Sequence, residues 1–150
     1  IGASIATLIP NPVVGLPLAF LSHFVIDKIP HWDPMVNKEN KTKNRILIET
    51  IADVLLSLLL TTIFILVFSS SNLSYIYLSA FVSQLPDWLE IPYVFFHSKI
   101  FPFYQVYKIQ SWLHDVWFNA RLKGFWGVAT QVVTVSVFIW LALRTLPSPY

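Results

Sequence analysis

Two histidines and two aspartates stand close together in the segment SHFVIDKIPHWD, residues 22–33. His23, Asp27, His31 and Asp33 are separated by four, four and two positions. A spacing of four places side chains on one face of a helix. Imidazole nitrogen and carboxylate oxygen, in a chain without cysteine, are donor types that suit zinc, manganese or iron. The segment therefore indicates a metal site built without sulfur.

Two further acidic pairs lie in apolar parts of the chain. Glu49 and Asp53 are four residues apart, and Asp87 and Glu90 are three apart, so each pair shares a helix face. With a rise of about 1.5 Å per residue, both pairs and Asp27 lie near the same edge of a bilayer. Carboxylates at one depth repel each other unless a cation neutralises them. An ionisable residue inside a membrane is by default a candidate for a functional site.

The composition of the chain is that of a membrane protein. Of its 150 residues, 55% are hydrophobic and only 12% are charged, and the mean hydropathy is +0.62. Soluble domains carry roughly 25% charged residues. The length allows about four spanning helices of roughly 20 residues, so we expect residues 1–150 to form a single integral membrane domain. A net charge of +2 without an aromatic-interleaved basic face disfavours nucleic-acid binding.

The hydrophobic pattern predicts an all-α, polytopic membrane bundle with about four spans, an N-terminal half-helix and an interfacial amphipathic helix. We expect a half-helix over 1–9, a turn at 10–12, a return helix over 13–29, spans over 46–68, 75–99 and 125–146, and the amphipathic helix over 103–123. Pro30 should end the return helix, and Pro86 and Pro92 should interrupt the span that contains them. His114, on the amphipathic helix, would then cover the polar residues.

Basic residues set the expected orientation of the bundle. The loop over 28–45 holds five Lys and Arg residues and the segment over 97–124 holds four, whereas only Arg144 lies on the other side. Cytoplasmic loops of membrane proteins carry the excess of Lys and Arg. We therefore expect both basic segments, and the polar site beside them, to face the cytoplasm.

Four blocks of the sequence resemble a known family. PLAFLSHFVIDKIPHWD, IADVLLSLLL, LPDWLE and KGFWGVATQ are similar to blocks of the small prokaryotic membrane-bound metal-dependent hydrolases of the YdjM-like group. The resemblance covers nearly the whole chain and is most specific in the SHxxxDxxPHxD block. It implies a small helical protein of the inner membrane with a His and Asp metal centre and hydrolase activity. On matching positions it implicates as ligands His23, Asp27, His31, Asp53, Asp87 and His114.

Residues and resemblance together predict a membrane-embedded hydrolase with one or two divalent ions, with zinc preferred over manganese or iron. Such an ion lowers the pKa of bound water to about 7, and Glu49 or Glu90 would act as a general base or bridging ligand. An interfacial site favours membrane lipid, or a lipid-linked ester or phosphoester, as the substrate. Two alternatives stay open: a cation transporter that uses the same carboxylates as a pathway, and a non-catalytic subunit of a membrane complex.

The distribution of basic residues makes a prediction about topology. A reporter inserted beside Asn40 should lie in the cytoplasm and one fused after Tyr150 outside it, because nine basic residues oppose one. Paired fusions to alkaline phosphatase, active outside the cytoplasm, and to a fluorescent protein, active inside it, measure this. The reverse pattern would place the polar site on the other face of the membrane.

Overall fold

The computed structural model describes residues 1–32, 41–68, 72–116 and 124–144. Within these ranges the chain forms six α-helices and no strand, which confirms the predicted all-helical class. The helices are α1 (Gly2–Leu8), α2 (Pro12–Ile26), α3 (Lys43–Phe68), α4 (Leu73–Phe96), α5 (Phe103–Val116) and α6 (Phe125–Leu143). Each of them lies within one of the segments predicted to be helical, or extends it by a few residues.

The turn between α1 and α2 is set by Asn11 and Pro12. The side-chain oxygen of Asn11 accepts a hydrogen bond from the backbone N–H of Val13 at 3.0 Å, and Pro12 occupies the first helical position, where an N–H is not needed. Tyr75 of α4 holds this turn in place, since its hydroxyl donates to the carbonyl of Ile9 at 2.7 Å. The first two helices therefore form a short hairpin fixed to α4.

The helix α4 passes through both of its prolines. The sequence predicted an interruption at Pro86 and Pro92, whereas the structure has one helix of 24 residues. Each proline removes one backbone hydrogen bond, but α4 packs against α1, α2, α3 and α5, and Pro86 is fully buried among them. Packing against four neighbouring helices therefore keeps α4 continuous. Asp87 and Glu90 follow Pro86 on this same helix.

Small residues allow α1 to approach α4 closely. The Ser79 hydroxyl donates to the carbonyl of Gly2 at 2.8 Å, and a Cβ at Gly2 would overlap the backbone of Ser79. Ala3 and Ala6 are buried in the same core as Ile76. Close contact between small residues is how helices associate where water supplies no hydrophobic driving force between them.

Two of the described helices are long and apolar enough to cross a membrane. Their apolar stretches are Lys43–Val67, which covers most of α3, and Gly124–Leu143, which is α6 with the residue before it. Only 17% and 11% of the most apolar 18-residue part of each stretch is buried inside the protein. The core helix of a soluble protein would be mostly buried, and a large exposed apolar surface indicates an interaction with lipid or with another protein. The two helices therefore support an association with the membrane.

The contact between Gly15 and Tyr75 yields a prediction about stability. A Cβ added at Gly15 would overlap the Tyr75 hydroxyl. Gly15→Ala should therefore lower the free energy of unfolding by about 1–3 kcal/mol, the usual cost of overpacking. Tyr75→Phe should cost about 0.5–1.5 kcal/mol through the lost hydrogen bond, but it also makes room for the added methyl group.

The double variant Gly15→Ala/Tyr75→Phe should consequently lose less stability than the two single variants together. Thermal unfolding of the protein in detergent measures the three losses. Additive losses would show that the two positions do not touch.

Candidate metal centre

The structure brings His23, Asp27 and Asp87 into one cluster. His23 lies in the last turn of α2 and Asp27, four residues later, is its C-terminal cap with helical backbone angles, so their side chains leave the helix on the same face. Asp87 reaches them from α4. The His23 Nε2 atom lies 3.0 Å from Asp27 Oδ2 and 3.3 Å from Asp87 Oδ1. One potential ligand atom from each residue lies within 4.8 Å of the other two.

The cluster is enclosed on one side and open on the other. The side chains of His23 and Asp27 are 9% and 16% exposed, whereas the Asp87 side chain is 56% exposed. The imidazole and the first carboxylate are therefore held by the surrounding protein. Water or a small group of a substrate can approach along Asp87.

Gln110 of α5 lies on the enclosed side. Its amide nitrogen Nε2 donates to Asp87 Oδ1 at 3.1 Å and lies 2.9 Å from His23 Nε2. The residue is 4% exposed, and its carbonyl oxygen Oε1 is buried with no hydrogen-bond partner among the described residues. A buried acceptor without a partner costs about 1–3 kcal/mol. This oxygen is bonded to the same carbon as Nε2, so the amide that contacts the cluster has one buried atom that is not satisfied.

A single imidazole nitrogen faces three polar neighbours in this cluster. The Nε2 atom of His23 carries at most one proton, which cannot fully satisfy two carboxylates, and the amide N–H groups of Gln110 are donors themselves. The two carboxylates also repel each other. A cation would bond the imidazole and both carboxylates at once.

The donor types and their separations fit a divalent metal ion. Imidazole nitrogen and carboxylate oxygen bind zinc, manganese and iron. In a tetrahedral zinc site with bonds of about 2.1 Å, neighbouring ligand atoms are about 3.4 Å apart. The separations of 3.0 and 3.3 Å between His23 and the two aspartates are close to that value.

Glu49, the predicted general base or bridging ligand on α3, makes different contacts. Its carboxylate accepts from Lys41 Nζ at 2.6 Å and from Arg45 Nε at 3.1 Å. Both carboxylate oxygens of Glu49 are therefore paired with basic side chains near the start of α3. Asp53, one turn further along α3, is likewise not a member of the three-residue group found among the described residues.

The remaining predicted site residues are placed as follows. His31 lies in the segment beyond α2, which ends at Ile26 and not at Pro30 as predicted, and its Nδ1 lies 2.7 Å from the carbonyl of Ile29. Glu90 follows Asp87 by three residues on α4 and is half-buried. Neither is part of the three-residue group. The backbone of His114 lies in α5, but its side chain lies outside the part of the chain that the structure describes.

Sequence reasoning missed the place of Gln110 in the site. The structure buries Gln110 with Val106 and Leu113 on one face of α5, whereas Ile109 is 49% exposed. The spacing of four and three from Val106 through Gln110 to Leu113 is the signal that could have found it.

Two polar residues of α6 hold the segment that follows α2. The Thr130 hydroxyl donates to the carbonyl of Pro30, and Gln131 Nε2 donates to the carbonyl of Trp32 at 2.7 Å. Both partners are backbone carbonyls of the segment beyond α2. They fix the path of the chain as it leaves the cluster.

Comparison with known proteins gives no match: no family model, no curated protein and no solved structure matches the chain.

The cluster predicts stabilisation by divalent metal. Zn²⁺ or Mn²⁺ should raise the Tm of the purified protein, because the ligands are assembled only in the folded state. A concentration 100 times the Kd would add about 2.7 kcal/mol to the free energy of unfolding. Asp27→Asn and Asp87→Asn should each remove most of this increase.

Glu49→Gln provides the comparison in the same assay. Its carboxylate lies outside the cluster, so the variant should keep the full metal-dependent increase in Tm. If Glu49→Gln abolished the increase while Asp87→Asn preserved it, the metal would be bound at α3 and not at the cluster.

Proposed function

We propose that the chain is a polytopic membrane protein that hydrolyses an ester or phosphoester of a membrane-resident substrate with a divalent metal ion held by His23, Asp27 and Asp87. The observation that carries this proposal is the three-residue group with its open side at Asp87 and its enclosed side at Gln110. Catalytic zinc sites commonly use three protein ligands and keep one position for water or substrate. The resemblance to the YdjM-like hydrolases supports the same reading.

The residues of the cluster would bind the ion and also leave access for the substrate. When bound, zinc, manganese or iron supplies a Lewis acid for the carbonyl or phosphoryl oxygen and acidifies water. His23 and Asp27 hold the ion from a single helix turn, and Asp87 closes the group from α4. The exposure of Asp87 leaves space on that side for water and for the ester group.

Glu90 is the residue that we propose as general base. It shares a helix face with Asp87, three residues earlier on α4, and α4 is continuous between them. A carboxylate one helical turn from a metal ligand can accept a proton from water as the ester is attacked. Glu49 is less suited to this role, because Lys41 and Arg45 use both of its oxygens.

The basic residues at the start of α3 favour an anionic, lipid-like substrate. Lys43 at the start of α3 donates to the carbonyl of Phe95 at the end of α4, at 3.1 Å, so these helix ends lie at one end of the bundle. Lys41 and Arg45 lie beside Lys43 in the chain. We propose that this basic end faces the cytoplasm at the inner membrane, with about four spans, and that it attracts the phosphate of a lipid headgroup.

A cation transporter is the alternative from another class. A transport path needs polar groups along the length of the spans. In the outer half of α3, the hydroxyl of Ser57 accepts from Gln84, and that of Thr62 is hydrogen-bonded to Tyr77 at 3.0 Å. These hydroxyls join α3 to α4, which favours a role in helix packing over a role in ion passage.

The proposal predicts metal-dependent hydrolysis in mixed micelles. The protein loaded with Zn²⁺ or Mn²⁺ should release phosphate from phosphatidic acid or from an aryl phosphate, and a chelator should abolish the reaction. Asp87→Asn should lower kcat/KM by at least about 100-fold, because it replaces a charged metal ligand with a neutral amide, which is a weaker donor. Glu90→Gln should lower kcat while the bound metal is retained.

Ion uptake into proteoliposomes tests the transporter alternative against the hydrolase. Uptake of Mn²⁺ by vesicles that contain the protein, without hydrolysis of either phosphate ester, would contradict the hydrolase and support the transporter. Metal binding with neither hydrolysis nor uptake would support a non-catalytic subunit.

A further inference from the structure

We infer that Gln110 is a fourth metal ligand whose side-chain amide turns over when a divalent ion binds, so that Oε1 faces the ion in place of Nε2. This inference rests on the proposed metal centre at His23, Asp27 and Asp87. It adds a residue from a third helix, α5, to a group that α2 and α4 supply.

The hydrogen bonds of the cluster show why the amide nitrogen faces inward without an ion. Gln110 Nε2 donates to Asp87 Oδ1 at 3.1 Å, and this contact favours nitrogen over oxygen beside a carboxylate. The same nitrogen lies 2.9 Å from His23 Nε2, which must also use its proton for the two aspartates. Oε1 is left buried without a partner among the described residues. With Nε2 facing inward, Asp87 therefore receives a hydrogen bond, but the amide oxygen Oε1 has no hydrogen-bond partner among the described residues.

A bound cation reverses this preference. With a positive charge between His23, Asp27 and Asp87, an amide N–H would point its own positive end at the ion, whereas Oε1 would offer a lone pair. A half-turn about the last side-chain bond exchanges the two atoms, and this torsion is broad, so no helix has to move. The turned amide gives Oε1 a bond to the ion, which offsets the cost of placing the amide N–H groups where Oε1 now has no partner among the described residues.

The position of the amide fits this role. Its inward atom lies 2.9 Å from the imidazole nitrogen and 3.1 Å from Asp87 Oδ1, similar to the separations among the three ligand atoms themselves. Val106 and Leu113 are buried on the same face of α5 and keep Gln110 directed at the cluster. With four protein donors, an ion that accepts five or six ligands still has one or two positions for water on the exposed side at Asp87.

Calorimetric titration of the full chain in detergent with Mn²⁺ and with Zn²⁺ tests the inference. Gln110→Leu should weaken metal binding by about 10- to 100-fold, the range found when groups around a metal are removed. Gln110→Glu should bind at least as tightly as the unmodified chain, because it keeps an oxygen donor and adds a charge. Gln105→Leu, an exposed position on the same helix, is the matched control and should bind unchanged.

Thermal unfolding separates a ligand from a packing residue. Gln110→Leu removes the unpartnered oxygen together with the hydrogen bond to Asp87, so the metal-free Tm should change little, while the increase in Tm caused by metal should shrink. The absorption spectrum of bound Co²⁺, which depends on the number and type of ligands, should also change in Gln110→Leu and not in Gln105→Leu.

Two results would overturn the inference. If the unmodified chain and Gln110→Leu bound Mn²⁺ and Zn²⁺ equally and gave the same Co²⁺ spectrum, the metal centre would stand and Gln110 would be a packing residue. If the unmodified chain bound neither ion, the proposed centre itself would fail, and the role of Gln110 would fail with it.

Discussion

The repulsion between two carboxylates at one imidazole nitrogen is the constraint on which the polar end of this bundle depends. Two unit charges about 5 Å apart repel by on the order of 3 kcal/mol at an effective dielectric constant of about 20, and the exposure of Asp87 lowers this cost. The His23 ring lies between Asp27 and Asp87 and reduces the repulsion with one shared proton. A divalent ion at the same position would remove it more completely, because it bonds both carboxylates directly.

The fold serves this contact by bringing α2 and α4 together firmly at one end. The short α1 fills the space beside α4 through small residues, and the Tyr75 hydroxyl holds the turn that leads into α2. Packing around the buried Pro86 keeps α4 continuous, and Asp87, the next residue, contacts His23 near the end of α2. The backbone contacts of Thr130 and Gln131 then direct the chain away from the cluster after Pro30.

Sequence patterns predicted the helices and part of the site, because those features depend on local spacing. The spacing of four placed His23 and Asp27 on one face, and an estimate of depth brought Asp87 to the same level. The depth of a residue in the bilayer does not give the direction in which its side chain points. Depth therefore could not distinguish Glu49, which pairs with Lys41 and Arg45, from Asp27 and Asp87, which lie together. The role of Gln110 depends on how α5 docks, and a single uncharged residue gave no chemical signal.

The central claim is that the cluster holds a metal ion, and elemental analysis tests it most directly. Protein purified in detergent without chelator should contain close to one divalent transition-metal ion per chain, and the double variant Asp27→Asn/Asp87→Asn, purified in the same way, should contain almost none. Folded protein free of metal, even after it is incubated with Zn²⁺ and Mn²⁺ and excess ion is removed, would contradict the account. The cluster would then be an ion pair that stabilises the contact between α2 and α4.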